Sequence, residues 1–196
     1  MTSKKIKEAS LELIAERGYC QTTLSLIAER VGIKKPSIYS HFQSKEDIFF
    51  SILEDETKNL NIYIENIYYD IKKYELEEML YLIIYKFAEY FNNNMTLAKF
   101  WSLVMYFPPY SLEQEFKFDI TKYKIYECIY RNIKEKTKNK KLDEEKMKNI
   151  MHSYEVILRG ILTMIIYDSD FTIEKIDQII KVYFNGIKNE LTENLS

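Results

Sequence analysis

The first apolar period in the chain sets Ile6, Ala9, Leu13 and Ile14 three and four residues apart, which gives one apolar face to a helix from Ser3 to about Arg17. Gly18 follows at the position where left-handed backbone closes a helix. Leu24, Ile27, Ala28 and Val31 repeat the spacing behind Thr22 and Thr23, either of which can cap a helix start, and Gly32 ends that element. Pro36 sits where a third helix begins, because a first-turn proline forfeits no internal hydrogen bond. Ile38 and Phe42, four apart, share its inward face. Ser44 opens a fourth helix, with Asp47 three residues on in the pattern of a capping box.

The same periodicity predicts longer helices through the rest of the chain. They run from Ser44 to about Lys72, from Glu75 to Phe91 and from Met95 to Phe107, the last stopped by Pro108-Pro109. A long helix from Ser111 to about Lys138 is expected next, ending in a lysine-rich stretch, Lys134 to Lys141. Two more helices, Glu144 to Tyr167 and Thr172 to Leu191, close the chain. Only 4 Gly and 3 Pro occur in 196 residues, so little interrupts an all-α fold. No unbroken run of 18 apolar residues argues for a membrane span, and the N-terminus enters an amphipathic pattern with acidic residues at once, unlike a signal peptide. Cys20 and Cys128 form no CxxC pair, which speaks against a disulfide framework or a zinc site and for a reducing cytoplasm, and no metal is expected.

Two short helices joined at a glycine, the second opened by proline, form a helix-turn-helix pattern. Ala28 is small where the helices would cross, and Val31, Ile38 and Phe42 can bind them into one unit. The opposite face, with Ser37, Tyr39, Ser40 and His41 after Lys34 and Lys35, is then free for a DNA major groove. Two cations at a helix N-terminus oppose the helix dipole, at a cost of a few tenths to about 1 kcal/mol. An approaching phosphate reverses the sign of that local field. Net charge adds little. Residues 1–50 carry 8 Lys and Arg against 6 Asp and Glu, a net +2, and residues 51–196 carry 20 against 24, a net −4.

The stretch Gly18-Tyr19, Thr22-Thr23, Ile27 to Ile33, Ser37 to Phe42 and Ser44-Lys45-Glu46 resembles the DNA-binding head of the TetR family of bacterial regulators. The likeness covers about the first 50 residues; the remainder matches only as an all-helical body of suitable length. It implies a three-helix head over residues 1–46 and an effector-binding, dimerising bundle over residues 47–196. It also implies that effector binding changes the separation of two heads and releases DNA. Residue by residue, it places Thr23 and Ser25 at the phosphate-facing start of the second helix, and Lys35, Ser37 and Tyr39 on the DNA face. His41 falls near the strand backbone and Lys45 at a phosphate. Lys34 departs from the family, which commonly has a serine cap there, so the third helix loses a side-chain acceptor at its start.

The resemblance further implies a homodimer. The last two helices carry wide apolar faces, Met147, Ile150, Met151, Tyr154, Ile157, Leu158 and Ile161, then Ile173, Ile176, Ile180, Tyr183 and Ile187. Periodicity alone says that these faces are buried against something; pairing with a second copy would make a four-helix interface, with Gly160 and Gly186 permitting close approach. Tyr85, Trp101, Met105, Tyr123, Tyr126 and Met164 offer flexible and amphipathic surface for a small, largely apolar or aromatic effector. Glu89, Glu127 or Glu155 would meet a cationic one. The expected partners are thus double-stranded operator DNA, a small-molecule effector and a second copy, with no membrane and no cofactor. The expected function is a ligand-responsive repressor, not an enzyme. An all-helical enzyme is the alternative with least support, since His41 and His152 stand in no metal-ligand spacing and no phosphate-cradling glycine loop occurs. A protein-binding helical adaptor explains the body equally well but leaves Lys34 and Lys35 without a purpose.

Overall fold

The computed structural model describes residues 2–112, 119, 122–136 and 143–192, with side chains left out at 136 and 187–192. The described residues are helical throughout and contain no strand. In chain order the elements are α1 (Thr2–Arg17), α2 (Leu24–Val31), α3 (Lys35–Ile38), α4 (Lys45–Ile71), α5 (Leu76–Asn92), α6 (Met95–Tyr106), a 3-10 turn at Tyr110–Leu112, α7 (Lys124–Lys136), α8 (Glu144–Tyr167) and α9 (Ile173–Thr192). They form two compact units. One comprises Met1–Asn59 with Asn94–Phe118, the other Leu60–Asn93 with Asp119–Ser196.

In the first unit, the face read from the sequence of α1 is the buried one: Ile6, Ala9, Leu13 and Ile14 meet Ile27 and Ala28 of α2, Ile38 of α3 and Ile48 and Phe49 of α4 in one core. Ile6, Ile27 and Ile38 are each 0% exposed. Burying an aliphatic side chain of this size stabilises the fold by about 1.5–3 kcal/mol, so these three anchor the unit. On the outer surface Arg30 of α2 pairs with Glu12 and Glu16 of α1 at 3.2 and 3.1 Å. Lys7 of α1 pairs with Asp55 of α4. Helix α6 also packs along α1, with Phe100, Trp101 and Val104 buried and the Phe100 ring 5.6 Å from that of Phe49. The short-range pattern of the sequence contains no sign of that α1–α6 packing.

The second unit is organised around α5, whose Met79, Leu80, Ile83, Ile84, Phe87, Ala88 and Phe91 are buried and which packs on α7, α8 and α9. Two tyrosines fix its backbone. The Tyr154 hydroxyl of α8 donates to the Leu80 carbonyl at 2.6 Å, and the Tyr63 hydroxyl of α4 donates to the Lys86 carbonyl at 3.1 Å. Helix α8 is long and apolar enough to cross a membrane by length and average hydropathy, although it holds no unbroken run of 18 apolar residues. Its buried face, which includes Met147, Tyr154, Leu158 and Leu162, packs on α5 and α7.

The predicted helix from Ser111 to Lys138 does not form as one piece. Tyr110–Leu112 is a 3-10 turn and α7 begins only at Lys124. The cap that starts it comes from another helix: the Lys124 N–H donates to Asn61 Oδ1 of α4 at 3.1 Å. Local sequence pattern cannot reveal such a cap, because its acceptor lies 63 residues away. Of the lysine-rich stretch Lys134–Lys141, residues 137–141 lie outside the described residues, as do the side chain of Ile187 and the segment between Leu112 and Asp119.

Candidate nucleic-acid interface and effector region

Local capping builds the head's outward face. Thr23 caps α2 in extended backbone, its hydroxyl oxygen accepting the Leu26 N–H at 3.2 Å. Thr22, the other possible cap, is buried, and its hydroxyl donates to the Gly18 carbonyl at 2.9 Å. Gly32 closes α2 at φ 75°, with its N–H on Glu29 O at 3.1 Å and the Ile33 N–H on Ala28 O at 2.9 Å. That pair of bonds is a Schellman stop, which needs a left-handed residue. Helix α3 then holds only one α turn. Lys34 precedes it with no side-chain cap, in agreement with the serine it lacks. Past Ile38 the chain continues as a hydrogen-bonded turn, His41 N–H and Phe42 N–H both donating to Ile38 O, at 2.8 and 3.0 Å.

This geometry divides the turn by face. Ile38 and Phe42 are buried, whereas Thr23, Ser25, Lys34, Lys35, Ser37, Tyr39 and His41 are exposed, Tyr39 by 54%. A tyrosine half out of the surface beside a buried isoleucine is available to a partner. Lys45 differs from the others. It is half-buried, its ammonium donates to the Tyr19 carbonyl at 2.9 Å, and it lies 4.0 Å from the Tyr19 ring centroid. Tyr19 and Glu46, bonded to each other at 2.8 Å, adjoin Lys45 and were given no role of their own by the sequence. The only sequence signal for them was an aromatic after Gly18 and an acid after Lys45. At the start of α4, Ser44 Oγ accepts the Asp47 N–H at 3.1 Å while the Asp47 carboxylate accepts the Gln43 N–H at 2.8 Å, a capping box displaced by one residue.

The six residues considered for an effector do not fall in one unit. Trp101, fully buried, and Met105, half-buried, stand on α6 in the first. Tyr85, Tyr123, Tyr126 and Met164 belong to the second, where Tyr85 stacks on Tyr81 at 6.0 Å and Tyr126 on Tyr130 at 6.3 Å. Tyr123 is buried, and the other three are half-buried. The three glutamates each meet a cation of this chain already. Glu89 pairs with Lys86 at 2.7 Å, Glu127 with Lys124 at 2.9 Å and with Arg131, and Glu155 with Arg159 at 2.6 Å. Those pairs hold the Glu127 carboxyl below its ordinary range, through the Lys124 bond first.

On the outer face of α8 a strip of His152, Val156, Gly160, Thr163 and Tyr167 is exposed and carries no carboxylate or ammonium group. Val156 and Tyr167 are 67% and 71% exposed, and Val182 of α9 is 75% exposed. Between α8 and α9 a groove of about 400 Å³ runs past Ile150, Ser153, Val182, Tyr183 and Gly186. Across it the Ser153 and Tyr183 hydroxyls are hydrogen-bonded at 2.9 Å.

Residues 6–52 match the family model for bacterial regulatory proteins of the tetR family, which spans this helix-turn-helix. Over this stretch the chain is similar to the TetR family of regulators. The fatty acid metabolism regulator protein of Bacillus subtilis is 39% identical over 83 residues, 42% of this chain and 41% of that protein. The biofilm operon negative transcriptional regulator IcaR of Staphylococcus aureus strain Newman is 43% identical over 63 residues, 32% of each chain. These matches therefore span well under half of either relative. The likeness in fold extends further. A crystal structure of the Bacillus subtilis regulator FadR in complex with stearoyl-CoA superposes with a TM-score of 0.70, covering 96% of this chain and 97% of that one at 22% identity. The all-α architecture of a helix-turn-helix head and a helical body is thus shared over nearly the whole length. The matched relatives are regulators, in keeping with the reading of a regulator over an enzyme.

Proposed function

We propose that this chain is a TetR-type, ligand-responsive repressor that binds a palindromic operator in the cytoplasm as a homodimer. The observation that carries this reading is the division of the helix-turn-helix, with Ile38 and Phe42 buried and Lys34, Lys35, Ser37, Tyr39 and His41 exposed on one side of a capped, glycine-closed turn. Thr23 and Ser25 add exposed hydroxyls at the start of α2 for the phosphate backbone. The uncharged strip of α8, with Val182 and Gly186 of α9, is the surface for the second copy. Gly160 and Gly186 leave open space where a Cβ would stand, which permits close helix approach. A palindromic operator asks for two α3 turns about one DNA turn, roughly 34–36 Å, apart, which a two-fold symmetric dimer can supply.

The effector is a molecule with a long apolar part, and a fatty acyl thioester is the first candidate. Support comes from the fatty-acid regulator among the relatives and from the stearoyl-CoA complex of the similar fold. Within the second unit, the half-buried Tyr85, Tyr126 and Met164 offer surfaces of the kind that suits such a chain. Repression rather than activation is favoured by the negative regulator among the relatives.

Tyr39→Ala tests the DNA-binding surface. The residue is more than half exposed, so truncation should move stability by no more than about 0.5 kcal/mol while weakening operator binding by about 1–3 kcal/mol. Gel shift and thermal unfolding of the same preparation measure both. An operator affinity unchanged over several salt concentrations would remove Tyr39 from the interface.

A further inference from the structure

The link between the α1–α2 turn and the start of α4 has a role that burial alone does not explain. The Tyr19 ring is 4% exposed and packs edge-on against Phe49 at 5.3 Å, so its place is fixed by the core. From there three interactions reach two successive residues of α4. The hydroxyl donates to Glu46 Oε1 at 2.8 Å, the carbonyl accepts the Lys45 ammonium at 2.9 Å, and the ring face lies 4.0 Å beneath that ammonium. The same carbonyl accepts the Thr22 N–H at 3.2 Å, immediately before the Thr23 cap of α2. One tyrosine thereby ties the start of α2 to the start of α4.

We propose that Tyr19 is a positioning residue for DNA binding, holding the Lys45 ammonium in place for a backbone phosphate before DNA arrives. An ammonium has three donors, and the Tyr19 carbonyl takes one. The lysine is half-buried, so the remaining donors have a path to solvent, where a phosphate oxygen can meet them. A free lysine loses up to about 2 kcal/mol of rotamer entropy when it is held, and here the fold has largely met that cost beforehand. Glu46 completes the clasp. Burial works against its charge, yet its own backbone N–H and the hydroxyls of Tyr19 and Ser44 hold its carboxyl below the ordinary range. It stays ionised and keeps accepting from Tyr19, which fixes the rotation of α4's first turn and so the direction in which Lys45 leaves the helix.

The proposal rests on the operator-binding reading, and the test separates the two. A duplex selected by the full-length protein from a randomised pool serves as the probe, titrated at several salt concentrations against wild type, Tyr19→Phe, Lys45→Met and the double variant. Lys45→Met should lower the magnitude of the slope of log affinity against log salt by about 0.9 for each phosphate that the lysine neutralises. Tyr19→Phe keeps the ring and the carbonyl and loses the hydroxyl. It should bind about 3- to 10-fold more weakly, the range of one hydrogen bond, with an unchanged salt slope. In the Lys45→Met background the same change should alter affinity less than about twofold, because Tyr19 acts through Lys45. An equal loss in both backgrounds would reduce Tyr19 to a general stabiliser and overturn the proposal. So would an unchanged slope for Lys45→Met, a result that needs no Tyr19 variant to fold. Failure of the wild type to select or bind any duplex would instead overturn the operator reading, and this proposal with it.

Discussion

Replacing Gly32 by alanine isolates the backbone term that shapes the helix-turn-helix. Gly32 stands at φ 75° and ψ 32°, in the left-handed region. A Cβ built on it meets no atom within 4 Å, so steric clash with the rest of the protein contributes nothing. Both Schellman bonds are made by backbone N–H groups, which alanine retains. What remains is the intrinsic cost of left-handed backbone for a residue with a Cβ, about 1–2 kcal/mol. The more restricted unfolded chain offsets about 0.4–1 kcal/mol of this, leaving a net loss near 1 kcal/mol. For a chain of 196 residues that lowers the melting temperature by about 2–4 °C. Asparagine tolerates this backbone better, so Gly32→Asn should fall between wild type and Gly32→Ala. Thermal and guanidinium unfolding followed by circular dichroism measure the order. If Gly32→Ala melts at or above wild type, or Gly32→Asn melts below Gly32→Ala, the turn is not held by its left-handed residue and the account of its geometry fails.

Gly160→Ala should act with the opposite sign on the isolated chain. In the helical backbone of α8 alanine gains about 0.5–1 kcal/mol, and nothing within 4 Å obstructs the new methyl. If the α8 strip faces a second copy at close range, sedimentation will show weaker dimerisation despite that gain; an unchanged dimer constant places the interface elsewhere. Trp101→Ala removes a fully buried indole and should cost about 3–5 kcal/mol, a loss that denaturant unfolding would reveal before any effector response is scored. At high pH the tyrosines should separate into classes. The bond to Asp177 first, and then burial, raises Tyr81 to about 12, and burial raises Tyr183 to about 12. Unfolded tyrosines ionise near 10, so the protonated folded forms contribute stability that is complete below about 10 and is lost as pH rises towards 12. Tyrosinate absorbance should show late-ionising residues released by denaturant. A single class for all 17 tyrosines in the folded protein would contradict those environments.

Much of the head was written locally in the chain. Thr23, Gly32, Ser44 and the period of Ile6, Leu13, Ile27 and Ile38 act within a turn or two of themselves, through caps and apolar spacing, and each does in the structure what its spacing predicts. The limits of α5, α6, α8 and α9 likewise fall within one or two residues of the pattern. Partners distant in sequence were decided by tertiary packing alone. Asn61 caps α7 at Lys124, where the local pattern would run a helix on from Ser111, while α6 joins the compact unit of α1 rather than that of α5, its neighbour in the chain. Lys45 illustrates the division most closely. The family resemblance puts it at a phosphate at the start of the fourth helix; only the fold sets it on the ring and carbonyl of Tyr19, because a lysine's direction depends on what lies beneath it and not on its neighbours along the chain.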